Sequence, residues 1–234
     1  QSVVHLQFFP LTTKEVPFPA EYRVVACNSY VEHAPPGIFN ERIATYEIGL
    51  MLVKEQSPQH ADRLEHLRDL NANHLGISQA DIYRILKKLP ERMSRAAIRA
   101  ALPKYQNRLD TLFSPHDEPK EGYRVRQVML FGLAECARSA QCQHLLKSGD
   151  MERFGQLKYI SHNGDRQFTF GPDGLESRQN NLIADADLEN LIADLESNNS
   201  ARISAAQLHN QPGGYDCSCQ ELDQLVDLAS RVDG

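Results

Sequence analysis

The stretch GYRVRQVMLFGLAECARSAQCQHLLK (residues 122–147) carries the longest helical pattern in the chain. Side chains that are apolar or small, apart from the last, recur along it at helical spacing: Val125, Val128, Met129, Leu133, Cys136, Ala137, Ala140 and His144. That period is typical of an α-helix with one face against a core. Gly149-Asp150 is expected to end this helix, and a further helix is predicted from about residue 150 to 162. The two helices predict a largely helical scaffold around this stretch.

Helical patterns also occur on both sides of this stretch. One runs from Asn40 to Lys54, and residues 60–113 are predicted to form several short helices. These short helices are expected at Arg63–Leu70, at Ser78–Leu89 with Ser78 and Asp81 as a capping box, and at Met93–Leu102 before Pro103. Ser114–Pro119 is predicted to be a loop. Further helices are predicted at Leu182–Leu195 and at residues 219–231, the last with Leu222, Leu225, Val226 and Ala229 on one face.

Two short runs near the start of the chain have strand character. They are SVVHLQFF (residues 2–9) and YRVVACN (residues 22–28), and a link from Pro10 to Pro19 joins them. Two short strands with such a connection predict a small antiparallel sheet. The fold class is therefore predicted to be α+β, mostly helical with a small antiparallel sheet, and further strands are expected from flanking sequence.

Composition excludes several classes of function. The 234 residues are 41% apolar, which is enough for a core, and the net charge of −6 does not favour a nucleic-acid partner. A cluster of basic residues is interpreted as a solvated helix face: Lys87, Lys88, Arg92, Arg95 and Arg99. No run approaches the ~18 apolar residues of a membrane span, and no signal peptide is recognisable. We expect no membrane partner.

Five scattered cysteines indicate reduced thiols and a cytoplasmic location rather than a disulfide framework. Cys217-Ser218-Cys219 has no second pair of ligands nearby, so no metal site is predicted in this chain. Because the sequence does not begin with Met, we expect that it was trimmed from a longer protein.

Common catalytic motifs are absent from the sequence. There is no Walker A loop, no G-x-G-x-x-G, no H-E-x-x-H and no G-x-S-x-G. His162, beside Ser161 and Asp165, is interpreted as a helix cap or a buried hydrogen-bonding histidine rather than a ligand. Composition and spacing alone therefore identify no function.

Three stretches in order do resemble a known family. The first spans Val16–Arg42, with VPFP, RVVACNSYVEH and FNER; the second spans Tyr123–Arg166 and ends in ISHNGDR. The third is YDCSCQELDQLVD at Tyr215–Asp227, which is the most specific of the three. Together they resemble the C-terminal portion of galactokinases and N-acetylgalactosamine kinases, of the GHMP kinase superfamily. The helices at 60–113, with LGIS at Leu75–Ser78, are similar to the additional helices of eukaryotic members.

The resemblance implies ATP-dependent phosphorylation of the anomeric hydroxyl of galactose or a related hexose. ATP and Mg²⁺ are the implied cofactors, and an Asp activates the sugar hydroxyl in the family. The Ser/Gly-rich ATP loop and that Asp are expected upstream of Gln1, and a second Gly-rich segment after Gly234. No catalytic residue is thus expected within this chain, which we expect to be inactive without the rest of the parent kinase chain.

The resemblance also implies a domain organisation. Residues 1–162 correspond to the kinase C-terminal domain with its helical insert at about 60–113. Residues 163–214 look like an insertion, rich in Asn, Gly, Asp and Ser, and residues 215–234 return to the same domain as its last helix.

Four residues are expected to bind the sugar: Phe39, Glu32, Asn28 and Ser29. Phe39 stands where galactokinases place a Tyr that touches the sugar, so the flat contact is kept and a hydrogen bond is lost. Glu32 stands where many galactokinases have a basic residue, and a carboxylate there would raise the pKa of the catalytic Asp. Both departures favour an N-acetylhexosamine or variant sugar over plain galactose.

Structural and functional alternatives remain at this point. Phe39 at a helix start is also typical of a core residue, and Asn28-Ser29 of a turn cap. Tyr215, Cys217 and Ser218 are interpreted as the N-cap region of the last helix, with Asp223 and Asp227 facing solvent. The functional alternatives are a catalytically inactive galactokinase-like sugar sensor or regulator, and a helical interaction module unrelated to kinases.

Overall fold

The computed structural model describes residues 1–28, 30, 36–166, 168–171, 174–177, 185–197 and 220–229. Helices dominate this part of the chain, with two small antiparallel sheets of two strands each. The predicted α+β class, mostly helical with little sheet, is thus confirmed, although the second sheet was not foreseen.

The core lies around two long helices, α1 (Pro36–Gln56) and α6 (Val125–Ser148), which pack against each other. Fully buried Ile48 and Met129 come from these two helices. Short helices α2 (Ala72–Leu75), α3 (Gln79–Lys87), α4 (Arg95–Ala101) and α5 (Gln106–Phe113) bring further apolar side chains to the same core. Both long helices and the Ser114–Pro119 loop were predicted from the sequence.

The helical insert was predicted with mixed success. Ser78 caps α3 in a capping box with Asp81, as its spacing predicts. The prediction of an α-helix over Arg63–Leu70 was wrong, because 3₁₀ turns occupy Pro58–Arg63 and Leu67–Asp69 instead. Pro58 at the start of the first turn and the Asp69 carboxylate, which accepts from the His66 backbone N–H, favour these short turns.

The predicted solvated basic face is only partly correct, because Lys88 and Arg92 are exposed whereas Arg95 and Arg99 make specific contacts within the fold. Arg95 is half-buried, donates to the hydroxyl of fully buried Tyr123 at 3.0 Å and lies 4.8 Å from the Phe113 ring centroid. Arg99 pairs with Asp110 of α5 at 2.7 Å. Because these partners lie 11 to 28 residues away in sequence, the helical spacing gave no sign of them.

The first sheet is a hairpin of β1 (Ser2–Gln7) and β2 (Thr12–Pro17), with Val3 opposite Val16. The prediction that residues 22–28 form its second strand was wrong. That segment carries no strand, and Val24 and Val25 are 79% and 78% exposed. The nearer segment, with β-branched Thr12, Thr13 and Val16, pairs instead because a tight turn at residues 8–11 places it beside β1.

The last described elements follow α6 closely. Gly149 has a left-handed φ of 75° and ends α6, and Asp150 caps α7 (Met151–Asp165), which packs on α6. An unforeseen hairpin of β3 (Phe168–Gly171) and β4 (Gly174–Ser177) comes next. Helices α8 (Asp185–Glu196) and α9 (Gln220–Ala229) confirm the helices predicted at Leu182–Leu195 and 219–231.

Buried Arg126 of α6 connects α8 to the core. It donates to the backbone carbonyls of Lys87 and Leu89 and pairs with Asp185 at 2.5 Å. The guanidinium group thus bonds two backbone carbonyls at the end of α3 that lack a partner within the helix, and its pair with Asp185 joins α8 to the core. No helix in the described part of the chain has both the length and the hydropathy of a membrane span.

The close approach of α1 and α6 depends on Gly132. A Cβ atom at this position would overlap the ring of Tyr46 from α1, whereas one at Gly155 of α7 would meet nothing within 4 Å. We predict that Gly132→Ala lowers the free energy of unfolding by about 1–3 kcal/mol, because α1 must shift. Gly155→Ala, the matched helical control, should be neutral or raise it by up to about 1 kcal/mol. Urea unfolding of both variants measures this, and equal effects would contradict the close packing.

Candidate functional site at the start of helix α1

The predicted sugar-binding residues are only partly within the described chain. Phe39 lies in the first turns of α1 and is 56% exposed, so it is not a core residue. Asn28 is also exposed, and its Oδ1 accepts from the backbone N–H of Tyr30 at 2.8 Å. Ser29 and Glu32 lie outside the described residues. Among those that are described, no polar or ring contact joins Phe39 to Asn28.

Neighbouring residues fix the turn that carries Phe39 from two sides. Asn40 donates from Nδ2 to the carbonyl of Pro115 at 3.4 Å. Arg42 donates from Nη1 to Asp165 at the end of α7, with 3.2 Å to Oδ1 and 3.4 Å to Oδ2. A large aromatic side chain is thus left exposed on a backbone that two distant segments hold in place.

The polar cluster behind this turn lies where α1, α6 and α7 meet. We call it the α1–α6–α7 cluster, and its members are Arg42, Tyr46, Phe131, Glu135, Arg138, Ser161 and Asp165. Arg42 donates from Nε to the Tyr46 hydroxyl at 3.1 Å, and its guanidinium carbon lies 5.0 Å from the Phe131 ring centroid. The guanidinium carbon of buried Arg138 lies 5.5 Å from the same centroid. One ring thus contacts two cations, a favourable arrangement when both are partly desolvated.

The carboxylates of the cluster balance these cations. Glu135 pairs with Arg138 one turn along α6, and it accepts a hydrogen bond from the Ser161 hydroxyl at 2.9 Å. Phe131 packs directly on the backbone of Gly164, where a Cβ atom would overlap its ring. This absence of a side chain lets the end of α7 approach α6 and brings Asp165 within reach of Arg42.

Burial raises the pKa of the Asp165 carboxyl above its usual range, while the neighbouring Arg42 guanidinium lowers it. Burial also raises the pKa of the Tyr46 hydroxyl, and Arg42 again opposes the shift. The desolvation effect is the larger in both groups. The negative charge on Asp165 is therefore costly and depends on Arg42.

A second ion pair begins at the next residue. Arg166 is 5% exposed, donates from Nε to Asn163 Oδ1 at 3.0 Å and pairs with Asp227 of α9 at 2.8 Å. The prediction that Asp227 faces solvent was wrong, since its side chain is only 23% exposed. A buried guanidinium requires such a counter-ion, and helical spacing alone does not identify it. Asp223 lies outside the residues whose side chains are described.

Nowhere among the described residues do three His, Cys, Asp or Glu side chains come together in a group that could hold a metal ion. We assign no residue of this chain to the Mg²⁺ that the family resemblance implies.

Within the α1–α6–α7 cluster each carboxylate lies against an arginine, so the charges of the cluster are balanced internally. Sequence reasoning did not select Arg42 or Asp165 as site residues. The sequence did contain an indication of both residues, because Arg42 lies in FNER and Asp165 lies in ISHNGDR. These motifs end two of the family-like stretches.

Comparison with known proteins adds no assignment. No protein-family model matches the chain, and no curated protein is significantly similar to it.

The dependence of Asp165 on Arg42 predicts a pH effect. Because the pKa of Asp165 is raised, the native state holds the proton more tightly than the unfolded chain, and stability falls as the pH rises through that pKa. Arg42→Gln removes the opposing cation, raises that pKa further and should lower the free energy of unfolding by about 1–3 kcal/mol near neutral pH. Near pH ~4, where neutral Asp165 needs no counter-ion, the loss should be much smaller.

Urea unfolding of both proteins at several pH values measures this difference. In an Asp165→Asn background the effect of Arg42→Gln should lose its pH dependence. A loss from Arg42→Gln that is equally large at acidic and neutral pH would contradict the coupling.

Proposed function

We propose that this chain is part of an ATP-dependent sugar kinase of the galactokinase type, in the GHMP superfamily. On this proposal it is the C-terminal portion of the parent enzyme, and it phosphorylates the anomeric hydroxyl of galactose or a related hexose together with the rest of the parent chain. ATP and Mg²⁺ are held by other parts of that protein. Reduced cysteines are typical of cytoplasmic proteins, so we also propose a cytoplasmic location.

A single observation supports the proposal most strongly. The three family-like stretches meet at two ion pairs in the folded chain: Arg42 of the first pairs with Asp165 of the second, and Arg166 of the second pairs with Asp227 of the third. Segments 61 or more residues apart thus come together at a single place. This is what is expected if the resemblance reflects one structural unit rather than three chance matches.

The exposed position of Phe39 supports a role in substrate contact. Its ring is accessible, and the side chains of Asn40 and Arg42, which follow it in α1, contact Pro115 and Asp165. An aromatic ring offers a flat apolar surface to the C–H face of a sugar ring. Because Phe lacks the Tyr hydroxyl, the preferred sugar should be one that does not require that hydrogen bond, such as an N-acetylhexosamine.

A second candidate function is a sugar sensor without turnover. The sequence feature that favours it is Glu32, where a carboxylate replaces the basic residue of many galactokinases. A like charge near the catalytic Asp would raise its pKa and weaken it as a base. The two functions differ in phosphate transfer and not in sugar binding.

An ADP-release assay on the intact parent protein tests the proposal. It should be run against galactose, N-acetylgalactosamine, glucose and arabinose. We expect turnover with one of these sugars, and Phe39→Tyr should change kcat/KM for that sugar relative to the others by about tenfold, the effect of one hydrogen bond. The matched control is Phe8→Tyr, a similarly exposed ring at 62% on the hairpin turn, which should change nothing.

The outcomes separate the two functions. Saturable sugar and ATP binding without ADP release would favour the sensor. Absence of both binding and turnover in a folded protein would contradict both, and equal effects of the Phe39 and Phe8 variants would remove Phe39 from the sugar site.

A further inference from the structure

A cavity lies between the first hairpin and the pair of helices α6 and α7, apart from the start of α1. Its volume is about 660 Å³, within the usual range for small-molecule sites. One wall is the inward face of the hairpin with Val3 and Val16, continued by the segment through Val24; the opposite wall comes from α6 and α7. None of these residues belongs to the proposed sugar contact.

The floor of the cavity is apolar. Buried Leu146 and Leu157 and the half-buried Met151 and Phe154 form most of it. Polar groups reach it mainly from Glu135 and Arg138, which are paired with each other, together with side chains such as Ser161 and Gln143. The apolar floor would favour a hydrocarbon or aromatic body.

The charge of the lining is opposite in sign to that of the protein. Three cationic side chains, Arg23, Arg138 and Lys158, face a single carboxylate, Glu135, among the residues that line the cavity. Since Arg138 and Glu135 balance each other, the net positive charge comes from exposed Arg23 and Lys158. Arg23 bonds the carbonyl of Tyr22, and Lys158 lies 5.2 Å from the Phe154 ring centroid. Within the described chain neither is paired with a carboxylate.

We propose that this cavity binds a small amphipathic anion, with its apolar body on the α6–α7 floor and its carboxylate, sulfonate or phosphate between Arg23 and Lys158. The volume is suited to a small molecule, and the apolar floor is suited to its hydrocarbon or aromatic body. The cationic side chains of Arg23 and Lys158 are suited to its anionic group. A neutral apolar molecule would contact only the apolar floor, and a sugar would use neither the apolar floor nor the cationic side chains. The inference is independent of the kinase proposal, because it involves different residues and no phosphate transfer.

Calorimetric titration of the intact protein with decanoate tests the proposal, with decan-1-ol as a neutral ligand of equal chain length. We expect saturable binding of one decanoate per chain, with the alcohol about tenfold or more weaker. Decanoate affinity should fall with added salt, and that of the alcohol should not.

Two variants and a matched control locate the binding. Lys158→Glu should weaken decanoate about tenfold or more and leave decan-1-ol unchanged. Cys142→Phe, which fills the cavity from α6, should weaken both ligands. Lys147→Glu reverses the charge of a lysine on α6 that is also exposed but does not line the cavity, and it should weaken neither ligand.

Each of these tests has an outcome that would contradict a specific part of the proposal. Equal affinity for decanoate and the alcohol would overturn the anionic part of the proposal. Equal effects of Lys158→Glu and Lys147→Glu would place the anion elsewhere. Lack of saturable binding to the intact, folded protein would overturn the site altogether, as when another part of the protein fills the cavity.

Discussion

Two adjacent residues of opposite charge at the end of α7 pair with different helices and thereby connect α1, α7 and α9. Asp165 pairs with Arg42 on α1, and Arg166 pairs with Asp227 on α9. A carboxylate in the last turn of a helix is opposed by the helix dipole, and burial opposes it further. Arg42 offsets these effects only in part, since the pKa of Asp165 remains raised, and the contact between the two side chains joins α1 to α7.

This arrangement has a direct consequence for the surface. Because Arg42 is anchored from behind, the preceding turn of α1 is fixed while Phe39 remains exposed on it. Buried Phe131 and the side-chain-free Gly164 permit the approach of α7 that the ion pair requires. The proposed sugar contact is thus an exposed ring in a helical turn whose neighbouring side chains contact other parts of the fold, and such contacts help to position a binding residue.

Local patterns predicted the local structure well. The α3 capping box and the helix over residues 122–147 depend on residues a few positions apart, and both were confirmed. The single buried face predicted for that helix was wrong in its second half, where Cys136, Ala137, Ala140 and His144 are exposed. The strand at 22–28 was wrong because β-propensity does not specify a partner, and the nearer Thr12–Pro17 segment paired with β1 instead. The ion pair of Arg42 and Asp165 spans 123 residues, so no local period could reveal it. Both ends fall within family-like stretches but were not selected as site residues, and the sugar contacts inferred from the resemblance remain predictions.

The central claim is that the Arg166–Asp227 pair joins α9 to the rest of the unit. Hydrogen exchange of Gln220–Ala229 in Asp227→Asn, Arg166→Gln and the double variant tests it most directly. The account predicts that each single variant accelerates exchange across α9 and that the double variant adds little, because both remove one interaction. Unchanged exchange in the Asp227 variant, or fully additive effects of the two substitutions, would contradict it.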